Sequence, residues 1–170
     1  FEDTLSQARA AYTKLAEANL CVPCDLPAEY LFEHTYFVVG AHPYSAPDYN
    51  QEAEQRLFEL LEHPLCVGVG EIGLDFGPYC EVPEEVQRQV FERQLSIAHE
   101  HNQRVELHLR DGADNTHAHD LAFEILNRLG VPKAGCDLHC YTDGPEVMKP
   151  FADLGCFVAF GGAATFKRSD

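Results

Sequence analysis

The chain has 170 residues, 45% of them hydrophobic, with 12 Lys+Arg against 28 Asp+Glu and a formal net charge of −16. That is enough chain for one globular domain with a sizeable core, read as 1–170, and no apolar run reaches the length of a membrane span. The charge opposes broad adhesion to DNA or to anionic membranes, but it leaves room for a small cleft that a metal ion makes positive.

In chain order, helical and strand-like patterns alternate. The first residue is Phe1, not Met, and nothing at the start has the pattern of a signal peptide, so the biological start is expected elsewhere. Asp3 and Thr4 are N-cap residues for a helix to about Asn19, followed by a short apolar piece, Leu20–Leu26. Phe37-Val-Val-Gly-Ala41 reads as a strand ended by His42-Pro43, and a helix covers about Gln51–Glu62. Next comes CVGVGEIGLDF (66–76), a strand with carboxylates at Glu71 and Asp75. Pro83 takes the N1 position of a long helix with Val86, Val90, Phe91, Leu95 and Ala98 on one side. Arg104–Arg110 is a strand, 120–129 a helix stopped by Gly130, and Cys136–Tyr141 a strand. Pro145 starts a helix that Pro150 distorts and Gly155 ends, and Cys156–Phe160 is the last strand.

About six strands separated by five helices imply a parallel α/β sheet, either doubly wound or part of a (β/α)8 barrel. The seven cysteines (21, 24, 66, 80, 136, 140 and 156) are odd in number and scattered over apolar runs. They argue against a secreted disulfide framework and for a reducing, cytoplasmic compartment. Cys21-Val-Pro-Cys24 opens no helix and has no second pair to complete a zinc site, so it reads as buried small hydrophobes.

Gly68-x-Gly70-x-x-Gly73 matches a dinucleotide-binding fingerprint only literally. The third glycine of that fingerprint opens a helix whose N-terminus holds a pyrophosphate, whereas Leu74-Asp75-Phe76 continues the strand pattern. A lone buried carboxylate costs several kcal/mol, roughly, unless it is paired, so Glu71 needs a cationic partner. Two later strands carry His108 and His139 near their carboxyl ends, where ligands bind in parallel α/β folds. One carboxylate and two imidazoles suit Zn²⁺, Mn²⁺ or a similar ion.

GAHP (40–43), GVGEIGLDF (68–76), the run 87–102, ELHLRD (106–111), LHCYTDG (138–144) and FVAFGGAATFK (157–167) resemble, in order, the TatD family of metal-dependent deoxyribonucleases. The resemblance implies a TIM-type barrel that hydrolyses DNA phosphodiesters from single-stranded or frayed 3′ ends. It implies that Glu71 bridges two divalent ions (Mg, Mn or Zn) while His108 and His139 hold the second. His42 would lie near the scissile phosphate, and Arg110 would line the cleft. The family's first-strand His-x-His and last-strand Asp have no counterpart here. The 170 residues would supply about strands two to seven of the barrel, as the central part of a longer enzyme. At most one ion and little or no activity are therefore expected of this chain alone, and an open arc with two bare edges is expected to be poorly stable or oligomeric. His117-Ala-His119 reads as a solvated helix start, not a ligand pair. Leu109 stands where the family carries a small polar residue, and Asp143 is an extra residue before Gly144. An amidohydrolase-type enzyme acting on a small-molecule or aminoacyl-RNA ester or amide, and a catalytically inactive remnant, remain open alternatives.

Overall fold

The computed structural model describes residues 36–165, and all of these but Tyr36 belong to one compact unit, Phe37–Asp170. The expected helix near 3–19, the apolar piece 20–26 and the Cys21–Cys24 pair lie outside the described residues. The elements are β1 (Phe37–Val39), a 3-10 turn (Pro43–Asp48), α1 (Gln51–Leu61), β2 (Cys66–Asp75) and α2 (Glu84–Glu100). They continue with β3 (Arg104–Arg110), α3 (His117–Leu129), β4 (Cys136–Leu138), α4 (Pro145–Asp153), β5 (Phe157–Val158) and a second 3-10 turn (Gly162–Thr165).

The five strands form one sheet in the order β1-β2-β3-β4-β5, and every pairing is parallel. A doubly wound sheet reverses its strand order at a switch point; a barrel does not. Sequential order with crossovers of one hand places the helices on one face and leaves the other free. Val69, Ile72, Leu74, Val105, Leu107 and Leu138 are buried in the core with Phe91, Leu95, Ile125 and Phe151 from the helices. Each such side chain contributes about 1.5–3 kcal/mol through burial. The strands are an arc of a (β/α)8 barrel, with its inner face turned away from that core.

Several boundaries differ from the sequence reading for local reasons. Pro83 is the N-cap of α2 and not its first helical residue; Glu84 and Glu85 fill the first turn, where they favour the helix dipole. Helix α3 begins at His117, three residues early, because Asp111 Oδ1 accepts the backbone N–H groups of Ala118 (2.6 Å) and His119 (3.3 Å). Pro150 lies inside α4, which continues to Asp153.

Strand β2 shows how Glu71 escapes the core. Continuing the alternation of the strand, Glu71 would share the helix-facing side of Val69. The register instead shifts: Val69 pairs with Val105 and Ile72 with Leu107, so three steps on β2 match two on β3. That extra residue reverses the alternation, gives the core to Ile72 and Leu74, and turns Glu71 to the opposite face. All three glycines of the literal fingerprint lie inside β2, so no helix starts among them.

The buried stripe of α2 holds two polar residues that periodicity assigned to no role. Val86 and Val90 are only half-buried, while Gln87 and Gln94 are buried. Gln87 Oε1 accepts the N–H of Asp75 at 2.8 Å, and its Nε2 donates to Asp75 O (3.0 Å) and Val82 O (2.8 Å). Gln94 accepts from Ala41 N (2.6 Å) and donates to Ala41 O (3.1 Å). These two amides fix the carboxyl ends of β2 and of the segment after β1. Gln87→Ala should cost about 2–4 kcal/mol, because it leaves buried backbone groups unpaired. Urea unfolding checks this, and a midpoint equal to that of the wild type would show that the strand end satisfies itself.

Candidate metal centre

The free face of the sheet carries Glu71 on β2, Glu106 and His108 on β3, and Asp137 and His139 on and just after β4. Alternation along β3 puts Glu106, His108 and Arg110 on one side and Val105 and Leu107 in the core. Glu71 stands between the two histidines. Its Oε2 is 3.4 Å from His108 Nδ1, and its Oε1 is 3.5 Å from His139 Nε2.

Each histidine is gripped from its far side by another carboxylate. His108 Nε2 lies 2.9 Å from Oδ2 of the fully buried Asp75, which also accepts the N–H of Gly77 at 2.8 Å. His139 Nδ1 lies 2.5 Å from Glu106 Oε1. A ring that gives its N–H to one carboxylate turns a lone pair toward the next. Where each ring carries its one proton toward the flanking carboxylate, its other nitrogen faces a Glu71 oxygen across 3.4 or 3.5 Å, a spacing that has room for a cation between them. The donor set, carboxylate and imidazole, suits a divalent ion, so the residues fit the ion that the sequence implies.

The other expected residues lie close by. The His42 ring is 4.2 Å from that of His108, centroid to centroid, and His42 Nδ1 accepts the N–H of Tyr44 at 3.2 Å. Burial pushes the His42 imidazole below its ordinary pKa, and the neighbouring His108 pushes the same way, against Glu71 and Asp75. Burial likewise raises Glu106, with Asp137 and Glu71 adding to it and His139 opposing, and raises Asp137. Arg110 is half-exposed, with Nη1 3.7 Å from Asp75 Oδ2. With His108, His139, Cys140 and Asp143 it lines a cavity of about 550 Å³ beside the centre; Glu71 and His42 are not among its lining residues.

Among the described residues, two groups bring three ligand atoms within 4.8 Å of one another here: His42, Glu71 and His108, and Glu71, Glu106 and His139. His108 and His139 thus fall in different groups that share Glu71. A third such group is Asp111, His119 and Asp143, and it is the burial of His119 that corrects the reading of 117–119 as a solvated helix start. His117 is exposed and pairs with Glu84, but His119 is only 2% exposed, with Nδ1 2.6 Å from Asp111 Oδ2. The same Asp111 that starts the helix early draws His119 inward.

Sequence reasoning gave no role to Asp75, Glu106, Gln87 or Gln94. For Glu106 a signal existed, since it stands two residues before His108 and shares its face by alternation.

Comparisons with known proteins point in one direction. A family model described as TatD related DNase matches residues 24–170. The uncharacterized metal-dependent hydrolase YabD of Bacillus subtilis is 30% identical over 138 residues, covering 81% of this chain and 51% of YabD. The 3'-5' ssDNA/RNA exonuclease TatD of Escherichia fergusonii is 32% identical over 131 residues, 77% of this chain and 48% of that protein. The crystal structure of YjjV, a TatD homolog from Escherichia coli K12, superposes with a TM-score of 0.65 at 28% identity, covering 79% of this chain and 50% of YjjV. The chain spans about half the length of these relatives.

Proposed function

We propose, for a chain that belongs to the TatD related DNase family, that the centre at Glu71 serves metal-dependent hydrolysis of nucleic-acid phosphodiesters, with single-stranded 3′ DNA ends as the substrate. The observation that carries this reading is Glu71 set between His108 and His139, with each ring backed by a further carboxylate. Glu71, His108 and His139 would hold a divalent cation, Mg, Mn or Zn. His108 and His139 fall in separate three-residue groups that meet at Glu71, so a single ion held by all three needs the two rings to draw closer together; about one ion is proposed for this chain. Such a cation supplies Lewis-acid polarisation of the phosphoryl group and a water acidified toward neutral pH.

The chain's own residues do the rest. Without a cation, Glu71, Asp75, Glu106 and Asp137 would repel a phosphodiester. His42 accepts the Tyr44 N–H at Nδ1, so its Nε2 carries the proton and donates to a phosphate oxygen. Arg110, at the rim of the cavity, pairs with phosphate charge. The net charge of −16 favours gripping a short single-stranded end over tracking along a duplex. The free thiols of Cys66, Cys80, Cys136, Cys140 and Cys156 suit a reducing, cytoplasmic setting. Among the described residues no helix is long and apolar enough to cross a membrane.

The test is a longer polypeptide containing this sequence, given single-stranded DNA, RNA, duplex DNA and a panel of esters and amides with Mg²⁺ or Mn²⁺. Chelator-sensitive shortening of single-stranded DNA from the 3′ end is expected, and the 170-residue chain alone should show little or none. Turnover of an ester or amide with nucleic acid left intact would move the reading to an amidohydrolase.

A further inference from the structure

Two kinds of carboxylate–histidine spacing occur at the centre. Glu71 stands 3.4 Å from His108 and 3.5 Å from His139, whereas Asp75 stands 2.9 Å from His108 and Glu106 2.5 Å from His139. Two ligands of one ion, at bond lengths near 2.0–2.2 Å, stand roughly 3–3.6 Å apart. Groups joined by a charge-assisted hydrogen bond stand about 2.5–2.9 Å apart. Glu71 therefore has the spacing of a ligand, and Asp75 and Glu106 have the spacing of hydrogen-bond acceptors.

We propose that Glu106 is a positioning residue of the metal centre: it accepts the Nδ1–H of His139, holds that ring with Nε2 toward Glu71, and strengthens Nε2 as a cation ligand. The proposal rests on reading Glu71, His108 and His139 as the cation ligands. A carboxylate only accepts, so the bond from Glu106 fixes the proton on Nδ1 and leaves the Nε2 lone pair outward. Cys140 Sγ lies 3.1 Å from Nε2, and with the proton on Nδ1 the thiol is the donor of that contact. Glu106 thus does for His139 what the buried Asp75 does for His108. The two supports differ in setting: the Asp75 side chain is 0% exposed and Glu106 is 23% exposed. Glu106 can therefore be replaced with less damage to the fold.

The experiment uses the 170-residue chain with Glu106→Leu and Glu106→Gln. Mn²⁺ and Zn²⁺ affinity is measured by calorimetry, and the tautomer of His139 by its ring ¹⁵N shifts without metal. Glu106→Leu should weaken cation binding roughly 10–100-fold and move the His139 proton from Nδ1 toward Nε2. Glu106→Gln, whose amide oxygen still accepts from Nδ1, should keep the Nδ1–H tautomer and lose only a few-fold in affinity, roughly. An unchanged tautomer in Glu106→Leu overturns the proposal. If affinity alone falls, Glu106 acts as a direct ligand or a bulk charge; if the tautomer alone moves, the ring needs no such hold to bind. Either result overturns the proposal too. Should Glu106→Leu fail to fold, an Nε2–H tautomer in Glu106→Gln overturns it. A wild-type chain that binds no cation while the tautomer still responds to Glu106→Leu refutes the metal reading and leaves the hold on His139 standing.

Discussion

Glu71→Ala in a longer polypeptide containing this sequence should abolish phosphodiester hydrolysis, with kcat/KM falling by at least about 10³-fold. Glu71 is the residue on which both histidines converge, one on each carboxylate oxygen, so its removal takes ligand atoms from both three-residue groups at once. The two histidines alone present no negative charge to hold a cation against water, and of the remaining carboxylates Asp75 is engaged by His108 and Glu106 by His139. The loss should therefore exceed what removal of one peripheral ligand would give. Its cost in stability should be small. Glu71 is 34% exposed at its side chain and lies outside the core, so unfolding should shift within about 1 kcal/mol. Glu71→Gln keeps the shape and loses the charge, and should retain measurable but much weaker cation binding. Steady-state hydrolysis of a single-stranded oligonucleotide, with a parallel Mn²⁺ titration, reads both effects. An enzyme indifferent to Glu71→Ala would place the chemistry elsewhere on the chain.

How much of this was legible in the sequence follows from the range of each physical signal. Strand order could be read because regular βα alternation admits few topologies, and the arc of five parallel strands follows the chain as expected. The family and its metal-hydrolase character could be read because GEIGLD, ELHLRD and LHCYTD are short, ordered and specific. The bulge could not be read. It exists only as a mismatch in count between β2 and β3, and neither strand records that count by itself. Gln87 and Gln94 were hidden for a different reason. An apolar stripe is found by seeking hydrophobic residues, yet the ends of β2 and of the segment after β1 need their backbone groups paired, and amides meet that need from within the stripe. His119 was misjudged because its partner, Asp111, sits eight positions earlier across a loop, beyond the reach of helical periodicity.

Gly73→Ala should be the most damaging glycine-to-alanine substitution among the described residues, costing more than about 4 kcal/mol or preventing folding. Gly73 has φ +146°, a backbone conformation that L side chains rarely adopt, and it pairs directly with His108 across β2 and β3. A Cβ at Gly73 would lie 2.1 Å from the carbonyl oxygen of His108 and 3.0 Å from its carbonyl carbon. Those atoms are backbone, so no side-chain rotation relieves the collision. The strands must part at the position that presents His108 to Glu71. Gly155 separates the two contributions, since it has φ +92° but nothing within 4 Å of an added Cβ. Gly155→Ala should therefore cost only the backbone strain, about 1–2 kcal/mol. Urea unfolding of both variants, with Mn²⁺ binding measured on whatever fraction folds, distinguishes the terms. Gly73→Ala should lose cation binding even where some fold survives, because the collision is with the residue that carries the ligand; Gly155→Ala should keep it. Equal costs for the two substitutions would mean that β2 can move away from β3 without penalty, and the close approach at Gly73 would then not be what sets His108 in place.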